Sequence, residues 1–304
     1  MKEGTSALFE LEIPLPDPLI TSQSSRLIGF KSRFEKIHRD LRLLLDKDGL
    51  EQWSKKFYHA HISLLDSLQD RYPLVVFYGD VGTGKTATAE SVANGIAAEM
   101  GKQAMLFKLS TRVRGAGQVG EMSSLINQAF DVVTKEAGKS KLSFLIIDEA
   151  DSLAANRTNY QSHHEDKVAV NTLIQKIDDV RRFNGRVLVI FCTNHFAAID
   201  PAILRRSAYV EEFRRPGDAE RGEMFDMDCK GLGLDQGVIK ELVTLTGPNG
   251  PHKLTFTFSD IRTRLLPEAL ALAYPTRKIT ADDLIQVIAK IKPTPEISGQ
   301  GENK

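Results

Sequence analysis

Cysteine is scarce in this chain, with two residues, Cys192 and Cys229, among 304. No disulfide framework is indicated, and a reducing compartment, the cytosol, is expected. Cys192 lies in an apolar strand pattern and reads as a buried thiol. An excess of one charge sign is also missing. Lys plus Arg and Asp plus Glu stand at 40 each, which argues against a strong pull toward nucleic acid or membrane. No long apolar run occurs, so neither a secretory leader nor a membrane span is read. What remains, 41% apolar and 26% charged, is the composition of a globular protein, and the length allows about two domains.

The most informative segment is Gly79-Asp80-Val81-Gly82-Thr83-Gly84-Lys85-Thr86. It has the spacing G-x-x-x-x-G-K-[ST] of a phosphate-binding loop. The apolar run Leu74–Tyr78 leads in as a buried strand, and a helical pattern from Thr86 through Ala87 to Met100 leads out. Glycines let the backbone N–H groups ring a polyphosphate, and the helix start adds partial positive charge there. Lys85 would reach the β- and γ-phosphates, and the Thr86 hydroxyl would bind Mg²⁺.

Strand-like runs at 74–78, 104–109, 144–147, 187–192 and 209–213 alternate with helical runs at 86–100, 122–135, 167–180 and 201–204. Near-continuous apolar strands between helices predict a parallel five-stranded sheet covered on both faces. Before it, Phe34, Ile37, Leu41 and Leu44 share one helical face in 31–45, and 50–68 continues in helical spacing. After Arg215-Pro216-Gly217-Asp218 the strands stop, and 219–228, 236–245, 259–272 and 281–291 read as helices. The chain therefore divides into an arm at 1–26, a large α/β domain at 27–216, a helical lid at 217–292 and a flexible tail at 293–304. Pro14, Pro16 and Pro18 are taken to forbid a helix in the arm.

A second signal is Phe144-Leu145-Ile146-Ile147-Asp148-Glu149. Asp148, at the strand's end, would hold Mg²⁺, partly through water. Glu149 would polarise the attacking water as general base. A third strand ends in Asn194, read either as a turn residue or as a donor to the γ-phosphate or lytic water. Arg205 and Arg206 close a short helix from Pro201. They read either as cations at a helix C-terminus or as arginine fingers toward a neighbouring subunit. His163 and His164 lack a third ligand and read as part of a solvated loop. Arg181, Arg182 and Arg186 beside Asn184-Gly185 read as an exposed basic turn.

These motifs, in this order and followed by helices, resemble the AAA+ ATPases. Asp148 to Arg157, Asn171 to Asp178 and Cys192-Thr193-Asn194 look like the HORMA-remodelling branch. That branch holds the pachytene-checkpoint and thyroid-receptor-interacting ATPase and its bacterial antiphage-operon counterparts. The resemblance, over roughly 27–290, implies a hexameric ATP- and Mg²⁺-dependent ATPase that draws a client through a central pore. The implied client is a HORMA-domain protein bound to a cGAS-like nucleotidyltransferase, and the implied role is restraint of antiphage signalling. It places Arg205 and Arg206 at the finger positions and Arg262, with Arg264 as the alternative, near the second sensor. It sets Ile28-Gly29 against the adenine and Gln118-Val119 in the pore stretch, where many relatives carry an aromatic residue. The competing reading is a DNA-associated AAA+ loader or transposition-type switch, which the neutral charge disfavours.

Overall fold

The computed structural model describes residues 8–69, 71–110, 121–155 and 164–297. Gln118, Val119 and His163 lie outside them, as does the tail beyond 297. The chain forms two compact units. One runs to Tyr78 and resumes over Thr86–Glu212; the other joins Gly79–Lys85 to the chain from Phe213 onward. The phosphate loop groups with the C-terminal unit.

The first unit is built on a sheet of six strands, not the five expected. The strands are β1 (Phe9–Leu15), β2 (Leu74–Gly79), β3 (Ala104–Leu109), β4 (Leu142–Ile147), β5 (Val187–Thr193) and β6 (Tyr209–Phe213), in the order β1-β3-β4-β5-β2-β6. β3, β4, β5 and β2 pair in parallel. Every residue of β4 and β5 is buried, because the strands are covered on both faces, and apart from Ser143 and Thr193 they are apolar.

The extra strand comes from the arm. β1 pairs antiparallel with β3 at the sheet's edge, with Pro14 opposite Met105. Proline lacks the N–H that a central strand must donate, but an edge strand has one side without a neighbour and tolerates it. Pro18 does not forbid a helix either. It opens helix α1 (Pro18–Ser24), where the N–H it lacks would have had no partner. Asp17 caps that helix by accepting from the Leu19 and Ile20 amides at 2.8 and 3.0 Å. Its own amide donates to Asn94 Oδ1 at 2.6 Å, which ties the arm to the helix after β2.

The helices of this unit are α2 (Phe30–Leu45), α3 (Lys47–Tyr58), α4 (Asp66–Gln69), α5 (Lys85–Met100), α6 (Glu121–Ala137), α7 (His164–Val180) and α8 (Pro201–Leu204). The helical spacing at 50–68 is broken at His59, which turns left-handed at φ 57°. Phe107, Phe130, Leu145, Leu173 and Phe191 sit in the core between sheet and helices.

The second unit carries α9 (Asp218–Asp228), α10 (Gln236–Leu245), a π-helical turn at Asp260–Leu265, α11 (Leu266–Ala273) and α12 (Ala281–Lys290). Its packing is apolar, around Phe225, Leu242, Phe256, Leu265, Leu284 and Ile288. The tail expected to fray from 293 is anchored at its start. Pro293 is buried, and the Thr294 amide and hydroxyl both donate to Asp260, at 3.1 and 2.7 Å.

Candidate active site

The phosphate loop is shaped by backbone conformations that side chains resist. Gly79 stands at φ +137°, where a Cβ would lie 2.0 Å from the Phe213 carbonyl oxygen. Only glycine lets β2 end so close to that strand. Within the loop, Thr83 Oγ1 donates to the Asp80 carbonyl at 2.7 Å. Lys85 Nζ donates to the carbonyls of Asp80 and Gly79 at 2.7 and 3.1 Å. The ammonium is buried and held inside the ring of the loop, the place from which it can meet a phosphate.

Three contacts fix the loop to its own unit. The Asp80 amide donates to the Phe213 carbonyl at 3.2 Å, and the Ser259 amide donates to the Gly82 carbonyl at 3.1 Å. The third was not foreseen from sequence. Arg215 Nε donates to Asp80 Oδ2, and its two terminal nitrogens donate to the carbonyls of Thr255 and Thr294 at 2.6 and 2.7 Å. Both partners of this ion pair are nearly buried, at 8% and 11% side-chain exposure. The other carboxylate oxygen of Asp80 accepts from the Val81 amide at 2.9 Å.

The first unit assembles the acidic half of the chemistry. Thr86 Oγ1, in the first turn of α5, donates to Asp148 Oδ2 at 2.7 Å. A hydroxyl and a carboxylate converging at that distance are hard oxygen donors suited to Mg²⁺, which takes few protein ligands and keeps waters and phosphate oxygens. Among the described residues there is no cluster of three or more His, Cys, Asp or Glu that could hold a metal ion. Glu149 follows, exposed and left-handed at φ 47°. A non-glycine residue in that region costs energy and is kept where neighbours enforce it. Here its amide donates to Asp148 Oδ1 at 3.0 Å, fixing the turn that presents it.

Other groups at this edge escaped the sequence reading. Thr193 Oγ1, at the end of β5, donates to Asp151 Oδ1 at 2.6 Å and accepts from the His195 amide at 3.0 Å. That bond holds the end of β5, and so Asn194, against the acidic turn after β4. Glu90 lies one turn after Thr86 on α5. Burial pushes its carboxyl above the usual range; Lys108 lowers it, while Asp148 and Glu10 add to the rise. Helical spacing from Thr86 is the signal that could have found it.

The two candidate finger arginines part company. Arg206 is held by Asp178 through two bonds of 2.6 and 3.0 Å, donates to the Ala202 carbonyl at 2.8 Å and lies over the Tyr72 ring at 5.2 Å. Its hydrogen bond with Asp178 raises its pKa further above the ordinary arginine value. Arg205 is exposed at the end of α8. Both second-sensor candidates are ion-paired within the second unit, Arg262 with Asp228 at 2.6 Å and Arg264 with Asp260 at 2.9 Å. They stand on the π-helical turn, a distortion frequent at functional sites. Gly29 caps α2 at φ 67°, directly after buried Ile28. Ala87 follows Thr86 in the first turn of α5.

A glycine-rich loop after a buried strand, a lysine inside it, and a threonine–aspartate pair beside a glutamate together define a P-loop nucleoside triphosphatase. The pattern of the ATPase family associated with various cellular activities (AAA) matches residues 75–216. A CD-NTase-associated protein 6 of Escherichia coli (strain KTE188) is 49% identical over 291 residues, 95% of this chain and 97% of that one. A chain of the solved E. coli MS115-1 HORMA:CdnC:Trip13 complex superposes with a TM-score of 0.89 at 38% identity, over 98% of this chain and all of that one. A Trip13 structure from Rhizobiales gives 0.72 at 31% identity, over 95% of this chain and 100% of its own length. This chain belongs to the AAA ATPase family, in its CD-NTase-associated, Trip13-like branch. It is an ATPase. No helix among its described residues is long and apolar enough to cross a membrane.

Proposed function

We propose that this ATPase works as a ring, a hexamer, that remodels a HORMA-domain protein and so separates it from a cGAS-like nucleotidyltransferase, restraining antiphage signalling. The observation that carries the reading is end-to-end similarity to a chain solved within a HORMA:CdnC:Trip13 complex, supported by the Thr86–Asp148 hydrogen bond between the two residues read as cation ligands. ATP is the nucleotide and Mg²⁺ the metal, in the cytoplasm. Thr86 and Asp148 hold the cation, partly through water, and it offsets charge on the phosphates. The loop amides of Gly79 to Thr86 and the ammonium of Lys85 bind and orient the triphosphate. Gly29 packs near the base, and Arg262 acts as the second sensor. Glu149 takes the proton of the lytic water, and Asn194 orients that water. The finger reading falls chiefly on Arg205, because Arg206 is occupied by Asp178 and serves to position it.

The reading is tested by mixing the purified protein with a preassembled HORMA–nucleotidyltransferase pair. Mg-ATP should release the HORMA protein into a separate gel-filtration peak, and a non-hydrolysable analogue should not. An intact pair after full ATP consumption would overturn it. A further result is expected from Arg205→Ala. Alone it should bind ATP and hydrolyse at least about tenfold more slowly, since a finger stabilises transition-state charge in the neighbour's site. Mixed with Glu149→Gln subunits it should regain part of the lost rate, because each variant supplies the group the other lacks. No recovery over any mixing ratio would place Arg205 outside a shared site.

A further inference from the structure

The parallel run of β3, β4 and β5 gathers the residues just before them at one edge of the sheet and those just after them at the other. Asp148 and Asn194 stand at the second edge. At the first, Lys102 precedes β3, Lys139 precedes β4 and Arg186 precedes β5. Lys47 and Asp48 join them from the start of α3, and Asn184 from the turn before β5. These residues line a cavity of about 530 Å³, in which Asp48 is the single carboxylate against four cations.

Among the described residues none of the four cations forms an ion pair or a side-chain hydrogen bond. The Nε of Arg186 is buried and makes no hydrogen bond. A buried N–H without an acceptor is costly, and an anion's oxygen is one acceptor that would relieve it. Burial and the repulsion of Arg181 hold the Lys47 ammonium below the usual lysine range, as expected where cations crowd without countercharge. The backbone that presents Arg186 is tightly constructed. Asn184 and Gly185 are left-handed, at φ 52° and 80°. A Cβ on Gly185 would lie 2.3 Å from the Leu44 carbonyl oxygen, so only glycine lets the turn press onto the end of α2. The Arg186 carbonyl accepts from the Ser143 amide at 2.8 Å, which locks the turn to β4.

We propose that this cavity is a second anion site, built for a small phosphate-bearing ligand of pyrophosphate size or larger. Four cations against one carboxylate match a ligand carrying about three negative charges, and the volume exceeds what a single phosphate fills. Guanidinium and ammonium groups recognise phosphate oxygens by short charge-assisted hydrogen bonds, and Arg186 and three lysines line this cavity.

The probe is inorganic pyrophosphate, titrated calorimetrically into the Lys85→Ala chain so that the phosphate loop contributes little. Binding with a Kd below about 1 mM is expected near 50 mM salt, weakening as salt rises because surface charge is screened. Adding Arg186→Gln should weaken it at least tenfold, and so should adding Lys102→Gln with Lys139→Gln. In the otherwise native chain, both sets should leave ATP turnover within about twofold, since they lie away from Asp148 and Glu149 along the same strands. If Arg186→Gln does not fold, the lysine pair carries the test alone. No binding, or binding that neither set weakens, would overturn the proposal. So would a polyglutamate peptide binding as tightly as pyrophosphate, which would make the surface a generic acidic-peptide contact.

Discussion

Glu149→Gln should bind Mg-ATP with unchanged affinity and release phosphate at less than about 1% of the native rate. A general base contributes roughly 10²–10⁴ to a rate, or about 3–5 kcal/mol of barrier. Glutamine has nearly the same shape and keeps a carbonyl oxygen, but it cannot accept the proton. The left-handed turn at residue 149 is set by backbone and by the Asp148 side chain, so the substitution leaves the presentation intact. Thr86 and Asp148 are untouched, and with them the oxygen donors suited to the cation. Fluorescent nucleotide titration and steady-state phosphate release separate binding from turnover. Native-rate release would show that another group activates the water.

Arg215→Met should have the second-largest effect, on both stability and nucleotide affinity. The substitution removes three donated hydrogen bonds and leaves the Asp80 carboxylate with no cation, nearly buried, inside the phosphate loop. Breaking one partner out of a buried pair costs about 3–5 kcal/mol, because the remaining charge is stranded. In a protein of this size that lowers the thermal midpoint by roughly 10 °C. An unneutralised carboxylate beside the polyphosphate site also repels the ligand, and KM for ATP should rise at least about tenfold. Two further variants distinguish charge from scaffolding. Arg215→Lys keeps the positive charge and should keep KM within about threefold. The double substitution Arg215→Met/Asp80→Asn removes both charges and should recover most of the affinity while remaining less stable than the native chain. A double variant no better than Arg215→Met would mean that the arginine acts only as a structural tie.

Much of this architecture could be read from residue order, for physical reasons. Buried parallel strands must be largely apolar, so β2, β4 and β5 stand out, and the motif residues sit at their ends. The glycines of the phosphate loop carry their own signature, because few residues can adopt those backbone angles. What stayed hidden depends on distance or on exceptions to local rules. β1 stayed hidden because the prolines of the arm spoke only against a helix, and the edge position that lets a strand hold Pro14 cannot be known until the edge exists. Arg215 and Asp80 lie far apart in the chain, and neither has a local reason to suggest the other. Adjacent Arg205 and Arg206 look equivalent on paper; only the position of Asp178 on α7 shows that one is held and the other exposed. Arg262 and Arg264 are likewise separated only by their partners, Asp228 and Asp260.

The anchoring of Thr294 bears on how this protein should be handled. Its carbonyl is one of the three acceptors of Arg215, and its amide and hydroxyl satisfy buried Asp260. Someone trimming the polar C-terminus to help crystals grow would aim at the stretch after α12. A cut before Thr294 would loosen the guanidinium that steadies the phosphate loop, and the shortened protein would be mistaken for a poor ATPase. Boundaries for expression are therefore better set beyond Ile297, with any affinity handle placed at the other terminus.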